Sequence, residues 1–343
     1  MQIPTIILNL LLSTMVFLQP LVAQDLVAEN MLLFQRSEGG WPKHYGEKAI
    51  DYNRIFTAAE KAGIKDDYHR NDATIDNKAT TKEIRYLLKL YKKDPNKAYL
   101  KSAEKGISYL LDAQYKNGGW PQYYPDLSSY RHEVTYNDDA MINALNVLYD
   151  ATKKEGDFSV LDTALIPREE MAIQKGIQCI LKTQIKVKKK LTAWCAQYDE
   201  NTLQPAMARK YELESISGSE SVGIVRFLMK VQHPSPEIKN AIASAIEWFE
   251  KSKIVGYKYV DILDPKLPKG RDRVMVADAG SVIWARFYDI DSNVPFFSGR
   301  DSIKKYKVSE IEHERRIGYG WYGTWPKDLL EKEYPEWQKK NDL

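Results

Sequence analysis

Cysteine and histidine are scarce in this chain, with two and five among 343 residues. Two cysteines make no disulfide framework. Cys179 falls in a helical apolar pattern and Cys195 follows Trp194, so buried thiols are expected, with a bridge as the alternative that export would permit. The histidines have no metal-type spacing, and no nucleophile elbow, phosphate loop or zinc box is present. Excess charge of one sign is missing too: a net +3 from 50 basic and 47 acidic residues argues against dedicated nucleic-acid binding. A long apolar stretch occurs once, from Ile6 to Val22, with Leu21-Val22-Ala23 before Gln24 as a cleavage site. It reads as an export signal over residues 1–23, although no basic residue precedes it, which leaves a retained anchor as the alternative. No later stretch could span a bilayer, and no Pro/Gly/Ser-rich linker divides the rest. The expectation is one domain over residues 24–343, secreted or periplasmic, monomeric, and free of the membrane after cleavage.

Alternating strand patterns are also rare, with Lys258 to Ile262 and Arg273 to Val276 the two candidates. Helical spacing dominates instead. Ile84, Leu87, Leu88 and Tyr91 recur at steps of three and four, as do Met141, Ala144, Leu145 and Leu148. Val222, Val225, Leu228 and Met229 continue the habit, followed by Ile242, Ala245, Ile246 and Phe249. A degenerate repeat overlies this pattern. Gln35 precedes Gly39-Gly40-Trp41-Pro42; Lys105-Gly106-Ile107 leads to Gln114 and Gly118-Gly119-Trp120-Pro121; Lys175-Gly176-Ile177 leads to Gln184, a longer loop and Trp194. The glutamines lie 79 and 70 residues apart, so each unit holds two or more helices. Repeated helix pairs of this length predict an all-α fold, an α/α toroid with long loops and at most a few short strands. The tail, with Gly318, Tyr319, Gly320, Trp321, Tyr322 and Gly323, predicts an ordered aromatic loop before a last helix.

Three polar motifs stand just before helical runs: Asp76-Asn77-Lys78, Asn137-Asp138-Asp139, and Arg209 with Glu212. Helix capping explains one such motif without function, since Asn137 is a good N-cap and acids suit a first turn. Two adjacent acids do not both serve a cap, however, and Asp76-Asn77 sits outside better capping residues. Carboxylate and amide oxygens on loops are what a hard cation such as calcium takes, and Lys78 adds a charge for an anion. Arg209 is either a paired surface arginine or an anion clamp; Arg286 and Arg300 offer the same potential beside Asp289 and Asp301. Trp41 is expected in the core. The loop from Trp120 to Pro125 suits a sugar surface about as well as a packed turn.

At these residues the chain resembles the family 10 polysaccharide lyases, the calcium-dependent pectate lyases. The likeness runs from about Gly39 to Trp325, through both Gly-Gly-Trp-Pro stretches, Thr74 to Thr80, Asn137 to Met141, Ala208 to Glu212, Ser217 to Ser221 and Trp284 to Tyr288. The resemblance implies a helical toroid, extracellular β-elimination of polygalacturonate (pectate), and a calcium ion bridging enzyme and substrate. By motif it implies Arg209 as catalytic base and Asp138 as calcium ligand, with Asp139 beside it. It places Asp76 in the same site as a ligand or a substrate-holding group, and makes Arg300, then Arg286, a substrate-carboxylate arginine. Asn77, Lys78 and Trp120 complete the expected substrate contacts. Lys210 and the stretch from Ile185 to Leu191 depart from the family pattern. Three rivals remain at this stage. One is a toroid glycoside hydrolase using Asp76 with Asp138 or Asp139 as acid and base. The others are a terpene-cyclase-like toroid and a non-catalytic sugar-binding protein.

Overall fold

A computed structural model describes residues 25–341, and the expected export signal lies outside them. No helix among the described residues is long and apolar enough to cross a membrane. After α1 (Leu26–Phe34) and α2 (Ala58–Asp66), the helices come as pairs: α3 (Thr81–Lys93) with α4 (Lys97–Asp112), α5 (Ala140–Thr152) with α6 (Ile166–Thr183), and α7 (Glu220–Lys230) with α8 (Pro236–Lys251). Within the inner layer α3 packs on α5 and α5 on α7; within the outer layer α4 packs on α6 and α6 on α8. The fold is the expected α/α toroid. Its central member, α5, buries ten of its 13 residues, as a helix that is apolar nearly all round must. Every apolar position in the helical patterns is buried, apart from Tyr91 and Met229, which are half-buried. Cys179 and Cys195 are buried free thiols.

The repeat has a physical basis in how each loop grips the next outer helix. Gln35 Nε2 donates to the carbonyls of Gly39 in its own loop and Ser102 in α4, at 2.7 and 2.9 Å. Gln114 does the same to Gly118 and to Ala172 of α6, and Gln184 to Thr192 and to Ala241 of α8. Each tryptophan indole then donates back to its own outer helix: Trp41 to Met31, Trp120 to Leu110 and Trp194 to Ile180. Gly106 and Gly176 leave room for the rings of Trp41 and Trp120. A fourth unit, which the sequence pattern did not reveal, repeats the motif with Trp284 donating to Phe249 at 2.9 Å.

The departures from helix fall at one equivalent place in two units. The stretch from Ile185 to Leu191 forms a short hairpin between α6 and Trp194. In the fourth unit a much longer antiparallel hairpin, Ile254–Leu263 with Arg271–Ala285, fills the interval between α8 and Trp284, and covers both strand candidates. The tail follows α9 (His313–Gly318) with a fully buried Trp321, pairs Tyr322 and Gly323 with the base of that hairpin, and ends in α10 (Tyr334–Lys340).

Gly118 has φ +94°, and a Cβ there would fall inside the Lys175 carbonyl. Gly118→Ala is therefore expected to cost about 2–3 kcal/mol in urea unfolding, from left-handed strain and the clash together. Gly63→Ala, in α2 with open space around it, should instead stabilise by about 0.5–1 kcal/mol. Equal effects at the two positions would contradict the packing role of Gly118.

Candidate active site

The inner helices start at one mouth of the toroid, and the polar motifs sit at those starts. Asn77 and Lys78 before α3, and Asp138 and Asp139 before α5, all have positive φ, between 50° and 65°. Two consecutive left-handed residues lift the chain away from helical geometry, a conformation Asn and Asp tolerate better than most. The capping explanation fails for both motifs. No side chain caps α3 or α5, because Asn137 Nδ2 donates to Asp138 Oδ2 at 2.9 Å and Thr80 bonds the Trp41 amide and the Thr74 carbonyl. The freed side chains face a cleft of about 430 Å³ lined by Asn77, Lys78, Asp138, Asp139, Arg286 and, from α7, Glu220, Gly223 and Arg226. Trp325 from the tail closes its side.

Charge in this cleft is organised around Arg286. Its guanidinium is clasped by buried Glu220, reaches Asp138 Oδ1 at 3.5 Å, and lies 4.8 Å over the Tyr319 ring. Burial alone would lower the Arg286 pKa; Glu220, Tyr319 and Asp138 reverse this and raise it. Asp138 keeps 41 % of its side chain exposed. Asp139 packs against Gly223 of α7, where burial first, then Glu220 and Asp138, push its pKa up to about 6. Among the described residues no group of three or more His, Cys, Asp or Glu side chains is arranged to hold a metal ion alone. The donors therefore suit a hard cation held jointly with a ligand: one exposed carboxylate, Asp138, with the Asn77 amide beside the same cleft.

Arg209 stands next to this cleft without lining it, linked through Tyr319, whose centroid is 6.0 Å from its guanidinium. Glu212, 3 % exposed, grips it from both ends: Nε donates to Oε2 at 2.6 Å, Nη2 donates to Oε1, and the Arg209 backbone amide donates to Oε2 as well. Tyr319 Oη adds a 2.8 Å bond to Glu212 Oε1. Burial pulls the Arg209 pKa down, but the hydrogen bonds and charge of Glu212 overcome it, and the net shift is upward. Arg209 is thus a firmly charged guanidinium in this state. Arg315 lies 4.7 Å over Tyr211, the same ring that Arg209 covers at 5.1 Å.

Two expected contacts, Trp120 and Arg300, need correction, and Asp76 sits just outside the cleft lining. Trp120 is 0 % exposed, with its indole bonded to Leu110 and its ring against Gly176, so it is a core residue and not a sugar platform. Asp76 is 2 % exposed and ion-paired with Lys43, and it receives a 3.3 Å bond from Asn77 Nδ2. It does not line the cleft: Lys43 and Asn77 both engage its Oδ2, and its Oδ1 is buried without a hydrogen-bond partner. Arg300 is exposed, tied to Glu314 at 2.6 Å, and does not line the cleft, whereas Arg286 does. Sequence reading missed Glu220, Arg226, Tyr319 and Trp325. The pairing of Trp194 to Tyr198 with Trp284 to Tyr288 could have located Arg286 in a repeat unit, because Tyr198 and Tyr288 accept matching bonds from Cys195 and Ala285 amides.

Comparison with known proteins identifies the family. The family described as pectic acid lyase matches residues 35–330. Among solved structures the chain is similar to a family 10 polysaccharide lyase from Cellvibrio cellulosa, at 36% identity and TM-score 0.79, over 92% of this chain and 91% of that one. A mutant of that lyase in complex with trigalacturonic acid matches at the same identity and TM-score, over 92% of each chain. No curated protein matches the sequence. The chain belongs to the pectic acid lyase family and is a pectate lyase.

Proposed function

We propose that this pectate lyase is exported and cleaves α-1,4-linked polygalacturonate by calcium-assisted β-elimination, giving 4,5-unsaturated oligogalacturonides. The observation that carries the reading is one cleft gathering Asn77, Lys78, Asp138, Asp139 and Arg286 from distant parts of the chain, with Arg209 against it through Tyr319. The trigalacturonic acid bound by the similar lyase supports the substrate class.

The reaction removes the C5 proton, α to a carboxylate, and expels the C4 oxygen. That proton is weakly acidic while the carboxylate keeps its full charge. A calcium ion bound there would supply positive charge against the enolate-like carboxylate, and Asp138 with Asn77 would hold it. Lys78 and Arg286 flank the cleft and orient the uronate carboxylates by charge. Arg226, paired with Glu333 at 2.6 Å, adds positive potential along the α7 wall.

In this reading Arg209 takes the C5 proton, and Glu212 opposes that role by stabilising its charged form. Only the small neutral fraction can accept a proton, and that fraction grows about tenfold per pH unit below the pKa. Activity should therefore climb through the alkaline range. Incubation with polygalacturonate should produce ultraviolet absorbance from the conjugated uronate. New reducing ends without that absorbance would mean hydrolysis and would overturn the reading.

A further inference from the structure

We propose that the inner wall of the toroid, below the active cleft, is a second binding surface for the polygalacturonate chain, holding uronate residues beyond those at the reacting centre. The inference rests on the pectate lyase reading and extends it to a part of the molecule that the chemistry does not use.

Each inner helix presents one polar stripe that starts at the active cleft and runs away from it. On α3, below Lys78, the stripe is Lys82, Arg85 and Lys89, at steps of three and four. On α5 it is Asp139, Asn143, Asn146 and Asp150; on α7 it is Arg226 and Lys230. The upper members, Lys78, Asp139 and Arg226, line the active cleft. The lower ones, Lys82, Arg85, Lys89, Asp150 and Lys230, line a second cavity of about 700 Å³. Contacts join the three stripes: Arg85 Nη2 donates to Asp150 Oδ2 at 2.7 Å, Lys230 pairs with the same carboxylate, and Lys230 Nζ reaches Asn146 Oδ1 at 3.4 Å.

The charge balance on this wall favours an anion. Arg85 and Lys230 share a single acid, Asp150. Lys89 is in no ion pair among the described residues, and Lys82 stands 3.6 Å from buried Glu83, whose carboxylate already accepts from Tyr52. From Lys82 to Lys89 the helix rises about 10 Å, more than one pyranose ring, so successive cations can meet carboxylates on successive sugars. Glu155 and Asp157 also line this cavity, where with Asp150 they leave three acids against the four cations Lys82, Arg85, Lys89 and Lys230. The polar stripes that lead from the active cleft to this cavity, and complementarity of charge, point to the substrate's own chain as the occupant.

The test is the double variant Lys82→Glu/Lys89→Glu in the full-length chain. Both side chains are exposed, and circular dichroism with thermal melting checks the fold. Steady-state kinetics are compared on trigalacturonate and on long polygalacturonate at low and high salt. The expected result is a KM for the long chain raised about tenfold, unchanged kinetics on trigalacturonate, and a weaker salt dependence. No change with either substrate, or equal loss with both, would overturn the inference. Failure of the wild-type protein to form unsaturated product would instead count against the lyase mechanism, independently of this groove.

Discussion

Arg209→Lys is expected to retain substrate binding and to lose about 10²–10⁴-fold in kcat, the range a general base contributes. Lysine keeps one positive charge but cannot reproduce the two-ended grip that Glu212 has on the guanidinium. It also presents its nitrogen at a different place relative to Tyr211 and Tyr319. A raised KM with unchanged kcat would assign Arg209 to uniform binding, and unchanged kinetics would remove it from the mechanism. Glu212→Gln supplies the counterpart. The Arg209 pKa is raised chiefly by Glu212 against the pull of burial, so neutralising Glu212 lowers it. The neutral fraction at a given pH then increases, and the acid limb of the kcat profile should move to lower pH. A uniform loss at every pH, with no displacement of the limb, would show that Glu212 is structural only.

Asp138→Asn should raise the calcium concentration needed for half-maximal activity by about 100-fold or more, because even groups that merely support metal ligands are worth 10–100-fold. Asp138 is the most exposed carboxylate of the motif and borders the cleft directly, whereas Asp76 is buried against Lys43. Asp76→Asn should change calcium demand less than Asp138→Asn does. Its effect should be on turnover and stability, through the release of Lys43 and the loss of the bond from Asn77. An equal or larger calcium effect from Asp76 would place the ion at Asp76 and contradict the geometry.

The toroid was legible because its cause is periodic. Apolar steps of three and four mark the helices, and the glutamine, double glycine and tryptophan recur because each loop must bond its own helix and the next. The fourth unit was hidden because the long hairpin separates Trp284 from Phe249 and its loop has no Gly-Gly pair. The polar motifs were legible as acids, amides and a lysine with no better reason to be there, and all four side chains of Asn77, Lys78, Asp138 and Asp139 line one cleft. Burial was the part that composition does not carry. Trp120 and Asp76 belong to motifs as polar or aromatic as their neighbours, yet the chain turns them inward, onto Leu110 and Lys43. The choice between Arg286 and Arg300 needed the third dimension as well, since each has an acid nearby in sequence. The partners that separate them, Glu220 and Glu314, lie 66 and 14 residues away.

The account depends most on a cation and a guanidinium acting on the same uronate ring. Its direct test is the initial rate of unsaturated-product formation from polygalacturonate in excess chelator, followed by calcium add-back. Loss of the rate in chelator and its recovery with calcium is the predicted result. A full rate in excess chelator would contradict the mechanism.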